Sequence, residues 1–210
     1  MTGDWTTKNR QATAFYLAHT LAVADAMIAF EVACRGNGAP RLIDHYDLIP
    51  FMPENTRASR DPFCCYVTIS GDLSEPVSIG IRPDRLFSLV YPGNLRHNFA
   101  LELDRATAPI RSTVLLARSS FRRKLIGYLH AWEAHEHTAT WGFQSFRVLT
   151  ITTSEVRLEN MLAALRDVTD GGAPGLFLFA TAERFASEGP FDGWVNGEGQ
   201  PTSLLPRAVS

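Results

Sequence analysis

Three carboxylates, Asp84, Glu102 and Asp104, lie in the stretch RPDRLFSLVYPGNLRHNFALELDRAT, where they interrupt two strand-like runs joined by a short turn. Odd positions of these runs are apolar (Phe87, Leu89, Tyr91; Phe99, Leu101, Leu103), so each run has one apolar face and the even-numbered acids share the other. If Tyr91 pairs near His97, Asp84 falls opposite Asp104 and Glu102 lies one step along. Acids grouped in this way repel by about 1 kcal/mol per pair near 4 Å even at the dielectric of water, so the group calls for a cation. A set of hard oxygen donors suits Mg²⁺ or Mn²⁺, which hold phosphate oxygens and activate water, the chemistry of phosphodiester hydrolysis or nicking. The alternative is a set of surface ion pairs with Arg82, Arg85 and Arg105.

Other side chains could join such a site. Lys124 and Tyr128, four apart in a helical pattern, share a side of a helix. Lys124 is either part of a solvated basic face or the charge that stabilises a developing phosphorane, while Tyr128 falls on the apolar stripe and belongs to the core. His19 sits on the apolar stripe of the first helix, as a core histidine or a site residue. Glu31 is about 120° around that helix from His19, too far for the two to share a site. Arg111, Arg118 and Arg122 fall on one helix flank, where they could position phosphates without reading bases. The HEH at residues 135–137 reads as solvated surface. Cys34, Cys64 and Cys65 have neither an even count nor framework spacing, so reduced thiols are expected and a zinc site is unsupported.

The elements that must hold these groups follow from periodicity. A long first helix runs from about Asn9 to Gly38, with Phe15, His19, Ala22, Val23, Ala26 and Phe30 as its stripe. Residues 39–62 read as an exposed excursion, residues 64–70 as a strand, and 77–91 and 98–106 as the paired runs. A second long helix is expected over Arg111–His137, then the strand FRVLTITT, a helix starting at the Ser154 cap or a box from Thr152 to Glu155, and the strand GLFLFAT. The expected fold is α/β (α+β), a single domain with a mixed central sheet flanked by helices, in the order α-β-β-β-α-β-α-β. Its core spans about residues 10–182, and residues 183–210 form a Gly- and Pro-rich tail.

Net charge is −2, which argues against indiscriminate coating of nucleic acid, but the charge is unevenly distributed. Residues 82–147 carry ten Arg or Lys against five Asp or Glu, a balance of +5, so the remainder carries −7. Residues 105–124 contain six basic side chains and no acid. The N-terminus is polar and no apolar run approaches about 18 residues, so a soluble, cytoplasmic protein without a membrane partner is expected.

A helix, a three-stranded meander, a crossover helix and a further strand, with Pro83-Asp84 on one strand and Glu102-x-Asp104 on the next, resembles the core of the PD-(D/E)XK nuclease-like fold. Asp104 stands where that pattern has lysine, and Lys124, on the following helix, is placed to supply it. The segments HTLAVADAMIAFEVA, RPDRLFSL, ALELDRAT, RKLIGYL and FRVLTITTSEVRLENML, across roughly residues 15–180, resemble the replication-relaxation family of bacterial plasmids and other mobile elements. The resemblance implies a role in plasmid replication or mobilisation through DNA binding, with possible relaxation or nicking, alongside replication or mobilisation proteins. It implies a site of Asp84, Glu102, Asp104, Lys124 and His19 with Mg²⁺ or Mn²⁺ held by the three acids. It also implies that the winged-helix module common in the family is absent here. The competing expectation is a catalytically silent nuclease-fold protein that binds DNA or protein partners.

Overall fold

The computed structural model describes residues 4–69, 76–106, 109–110, 120–172 and 175–206, with side chains from residue 14 onward. A mixed seven-stranded sheet runs in the order β1-β4-β5-β6-β7-β8-β9, with helices on both faces in one compact α/β domain. Its strands are β1 (Arg41–Ile43), β4 (Arg85–Val90), β5 (Arg96–Leu103), β6 (Arg147–Thr152), β7 (Phe177–Thr181), β8 (Trp194–Asn196) and β9 (Pro201–Thr202). A separate two-stranded sheet is the hairpin of β2 (Cys65–Ile69) and β3 (Val77–Ile81).

The central strands β5, β6 and β7 are parallel to one another and buried on both faces, as strands with helices above and below must be. Alternation divides their side chains between two cores. Leu86, Ala100, Val148, Phe177 and Phe179 point to one side, under α3 (Phe121–Glu133), α4 (Glu136–Trp141), α5 (Glu155–Val168) and the β2–β3 hairpin. Phe87, Phe99, Leu101, Leu149, Ile151, Leu178 and Ala180 point to the other, under α1 (Asp4–Ala33) and α6 (Ala182–Glu188).

Helix and strand boundaries depart from the sequence expectations at several places, each for a local reason. The run 77–91 is not one strand. Pro83, which has no N–H for a ladder, lies in the link that carries the chain from the β2–β3 hairpin into the main sheet, so β3 ends at Ile81 and β4 starts at Arg85. The β4–β5 register pairs Arg85 with Leu101 and Leu89 with His97, two residues from the expected Tyr91–His97 pairing. Continued past β4, this register sets Asp84 opposite Glu102 rather than Asp104.

The long basic helix is likewise interrupted. Ser120 is extended (φ −95°, ψ 146°) and its hydroxyl accepts from Arg123 N at 3.3 Å, so α3 starts at Phe121. His135, in the left-handed region at φ 56°, separates α3 from α4. Arg111 and Arg118 lie outside the described residues. His137 is not solvated surface: it is 1% exposed, with Nδ1 2.8 Å from Ala131 O.

The excursion at 39–62 is structured by β1, a 3₁₀ turn (Tyr46–Phe51) and α2 (Glu54–Arg57), and β1 is an edge strand of the main sheet. Within it, His45 stacks on Phe63 at 3.5 Å between ring centroids and its Nδ1 accepts from Leu86 N at 2.9 Å. The tail is also part of the fold. It supplies α6, β8 and β9, and Trp194 and Leu204 are buried in the α1-side core.

The first helix buries Val23, Ala26, Met27 and Phe30, but Phe15 is 57% exposed, so the buried stripe does not extend back to Phe15. By length and composition Ala14–Ala33, with mean hydropathy 1.4, would suffice to cross a membrane, contrary to the expectation that no run reaches that length. Its second half docks on the sheet, with Phe30 against Phe87 and Phe185, but only 22% of the apolar window is buried, and Leu17, Leu21, Ile28 and Val32 are exposed.

Candidate functional site

The parallel strands β5 and β6 end beside the start of the antiparallel strand β4, so the C-terminal edge of the sheet gathers Glu102, Asp104, Thr150, Thr152 and Asp84. Crevices beyond the carboxyl ends of strands are the usual ligand sites of α/β sheets. A cleft of about 1260 Å³ opens here, bounded by Phe15, Tyr16 and His19 of α1, by Gly80–Arg82 and by the first turn of α3.

The helix α3 is held close to this edge by a small residue. A Cβ at Gly127 would stand 2.9 Å from Ile81 Cγ1, so only glycine lets the helix lie this near the hairpin without displacement. That approach brings two α3 side chains onto one carboxylate. Lys124 Nζ donates to Glu102 Oε2 at 2.5 Å, and Tyr128 OH donates to Glu102 Oε1 at 2.7 Å. The other acids have separate partners. Asp84 Oδ1 lies 3.0 Å from His19 Nε2, and Asp84 Oδ2 accepts from Leu103 N at 2.7 Å. Asp104 accepts from Arg157 through Nε and through Nη2 (2.8 Å), from Thr152 Oγ1 (2.8 Å) and from Ala106 N (3.3 Å).

Burial sets the electrostatics. Glu102 is 3% exposed, and burial together with the charge of Asp84 raises its carboxyl above the ordinary range despite Lys124 and Tyr128. Burial would lower the Lys124 ammonium, yet Glu102, Asp84 and Asp104 raise it above the ordinary lysine range. Burial is the largest influence on both groups; for Glu102 it outweighs the partners, whereas for Lys124, half of whose side chain is open to solvent, the three acids outweigh it. Burial and Glu102 together raise the Tyr128 hydroxyl well above its ordinary value, so it remains a donor. For Asp104, burial is outweighed by the Arg157 and Thr152 hydrogen bonds, and its carboxyl is held below the ordinary value.

Of the residues expected from sequence, the edge thus gathers Asp84, Glu102, Asp104, Lys124 and His19 around one cleft. Arg122, two residues and about 200° around α3 from Lys124, is not among the residues lining the cleft, and its Nε is buried with no hydrogen-bond partner among the described residues. Tyr128 is both core and site: it is 1% exposed and its hydroxyl reaches Glu102. Arg157 and Thr152 were not anticipated. A signal for Arg157 existed in the Ser154 cap, whose hydroxyl accepts from Arg157 N at 3.3 Å and so fixes residue 157 in the first turn of a helix that begins at the strand edge.

The donor set fits a hard divalent cation only in part. Asp84 and Glu102 both present carboxylates to the cleft, at positions that face each other when the β4–β5 register is continued one residue, and Mg²⁺ is commonly held by one or two carboxylates with water and substrate phosphate completing its shell. Asp104 is committed to the Arg157 guanidinium and to two further donors. Among the described residues, no group of three or more His, Cys, Asp or Glu side chains is disposed as a metal cage. Comparison with known protein families, with curated proteins and with solved structures returns no match.

Proposed function

We propose that this chain is a DNA-associated, nuclease-like protein of the replication-relaxation type, acting on phosphodiesters of a plasmid or other mobile element. The observation that carries the proposal is the 2.5 Å contact of Lys124 Nζ with Glu102 beside Asp84. It supplies from a helix the lysine that the strand lacks at position 104, and so restores two acids and a lysine at one strand edge. Asp84 and Glu102 would hold Mg²⁺ or Mn²⁺, which supplies charge for a scissile phosphate and lowers the pKa of a bound water.

In this reading Lys124 faces the phosphate and offsets charge that develops on its oxygens, a role suited to an ammonium that stays protonated. Tyr128 orients the Glu102 carboxylate, and His19 orients Asp84. Arg157 neutralises Asp104, so that the third acid does not add to the repulsion between the other two. Arg123, which lines the cleft beside Lys124, would contact the DNA backbone, a part expected from sequence for Arg111, Arg118 and Arg122, of which Arg122 does not line the cleft and the other two lie outside the described residues. A cytoplasmic protein working with replication or mobilisation partners is the setting this chemistry implies.

The test is nicking of supercoiled plasmid in Mn²⁺, with Asp84→Asn, Glu102→Gln and Lys124→Met as variants. Activity in the wild type that falls at least 100-fold in each variant supports the proposal. Activity that survives in all three overturns it.

A second reading has its own observation. Every oxygen of Asp84, Glu102 and Asp104 already accepts a hydrogen bond or lies at hydrogen-bond distance from a donor, as expected of a silent binding protein on the same fold. Calorimetry with Mn²⁺ separates the two: heat that disappears in Asp84→Asn supports the metal site, and its absence favours the accessory role.

A further inference from the structure

The cleft wall formed by α1 carries two large rings that no core claims. Phe15 is 57% exposed and Tyr16 is 71% exposed, and both line the cleft that contains Asp84, Glu102 and Lys124. They lie four and three residues before His19, so the rings sit within about 6 Å of rise along the helix from the His19–Asp84 contact. Arginines share the walls: Arg82, whose exposed side chain also pairs with Asp61 at 3.4 Å, Arg105 and Arg123 line the same cleft, and Arg105 Nη1 donates to Phe15 O at 3.1 Å, tying the aromatic turn to the end of β5.

Exposed aromatic rings beside a basic, backbone-tracking groove are the means by which proteins hold unpaired bases, because every base offers a π face. A base inside a duplex presents no such face to a side chain. We propose that the cleft takes single-stranded nucleic acid, with Tyr16, aided by Phe15, stacking on a base next to the phosphate at Lys124, and with Arg82 and Arg105 following the backbone. This deepens the proposed function and rests on its assignment of the cleft to a phosphodiester substrate. The rings line the cleft beside the acidic edge, so their contribution is assigned to binding and strand choice.

The experiment measures fluorescence anisotropy of a labelled oligothymidylate and of a duplex of equal length, in EDTA so that no cleavage intervenes, for wild type, Tyr16→Ala, Tyr16→Phe and Phe15→Ala. The expected result is single-strand binding at least tenfold tighter than duplex binding. Tyr16→Ala should weaken it about tenfold, while Tyr16→Phe, which keeps the ring, should stay within about twofold of wild type. Equal affinity for duplex and single strand, or single-strand affinity unchanged in Tyr16→Ala, overturns the inference. So does a Tyr16→Ala effect confined to self-association or to vesicle binding. Failure of the plasmid nicking test with Tyr16-dependent single-strand binding intact would remove the catalytic reading and leave this one standing. Nicking with no ring dependence would do the reverse.

Discussion

Lys124→Met tests whether the Lys124–Glu102 contact is a coupled pair. Glu102 is 3% exposed, so removing the ammonium leaves a buried carboxylate with Tyr128 as its remaining donor in this contact. Breaking a fully buried pair costs about 3–5 kcal/mol. Half of the Lys124 side chain is exposed, so solvent screening reduces this to about 2 kcal/mol. For a domain of this size, that corresponds to a fall in Tm of about 4–8 °C.

Glu102→Gln alone keeps an acceptor for Tyr128 and frees Lys124 to turn into water, at a cost of about 1 kcal/mol. The double variant has neither the buried charge nor its partner, so it should be little worse than Glu102→Gln, giving a coupling of about 1.5–2 kcal/mol. Urea unfolding at neutral pH in EDTA measures all four corners. The pH dependence has a defined sign. Loss of Lys124 raises the Glu102 carboxyl further above its ordinary value of 4.5, so the folded state holds the proton more tightly than the unfolded state. Lys124→Met should therefore lose more stability as pH rises above about 4.5 than the wild type does. Additive single effects, within about 0.5 kcal/mol, would refute the pairing and with it the positioning of Lys124 at the site.

Three other outcomes follow from named contacts. Burial lowers the His45 pKa to about 4 from the ordinary 6.5, so its unfolded form binds the proton first and stability should fall as pH drops from 6.5 to 4. The loss reaches about 3 kcal/mol, and His45→Asn, which keeps an acceptor for Leu86 N, should flatten that limb of a pH–stability curve. Arg157→Met strips the guanidinium from Asp104, a pair with both side chains about one-seventh exposed, and should cost about 2–3 kcal/mol by urea unfolding at pH 7. Because Asp104 is held below its ordinary value, that difference should shrink as pH falls through the carboxylate's folded pKa. Gly127→Ala gains about 1 kcal/mol in helix propensity but drives a Cβ to 2.9 Å from Ile81, and a net loss of about 1 kcal/mol in thermal unfolding is expected.

The α/β class and the major helices and strands were legible because the central strands and α5 carry long, consistent patterns, and Ser154 marks its helix start by the expected hydroxyl cap. What pattern could not supply was the choice of sheet. β2 and β3 alternate as well as any strand, yet their hairpin packs under α3 instead of extending the main sheet, a consequence of Pro83 and of long-range packing around Gly127. The same limit governs the site. Period-two alternation put Asp84, Glu102 and Asp104 on one face, but the turn alone could not fix the register, and the observed register, continued one residue past β4, moves Asp84 from Asp104 to Glu102. That two-residue step decides which acids lie together. It groups Asp84 and Glu102 across adjacent strand ends, next to Lys124, and leaves Asp104 beyond the pair. There the helix after the neighbouring parallel strand begins, and its first turn delivers Arg157 to neutralise the third acid. Asp104 and Arg157 are 53 residues apart in sequence, a distance no local period reaches. A strand-end acid beside a parallel strand that leads directly into a capped helix is nevertheless a position where a basic side chain three residues past the cap will arrive, and Ser154 and Arg157 satisfy that condition here.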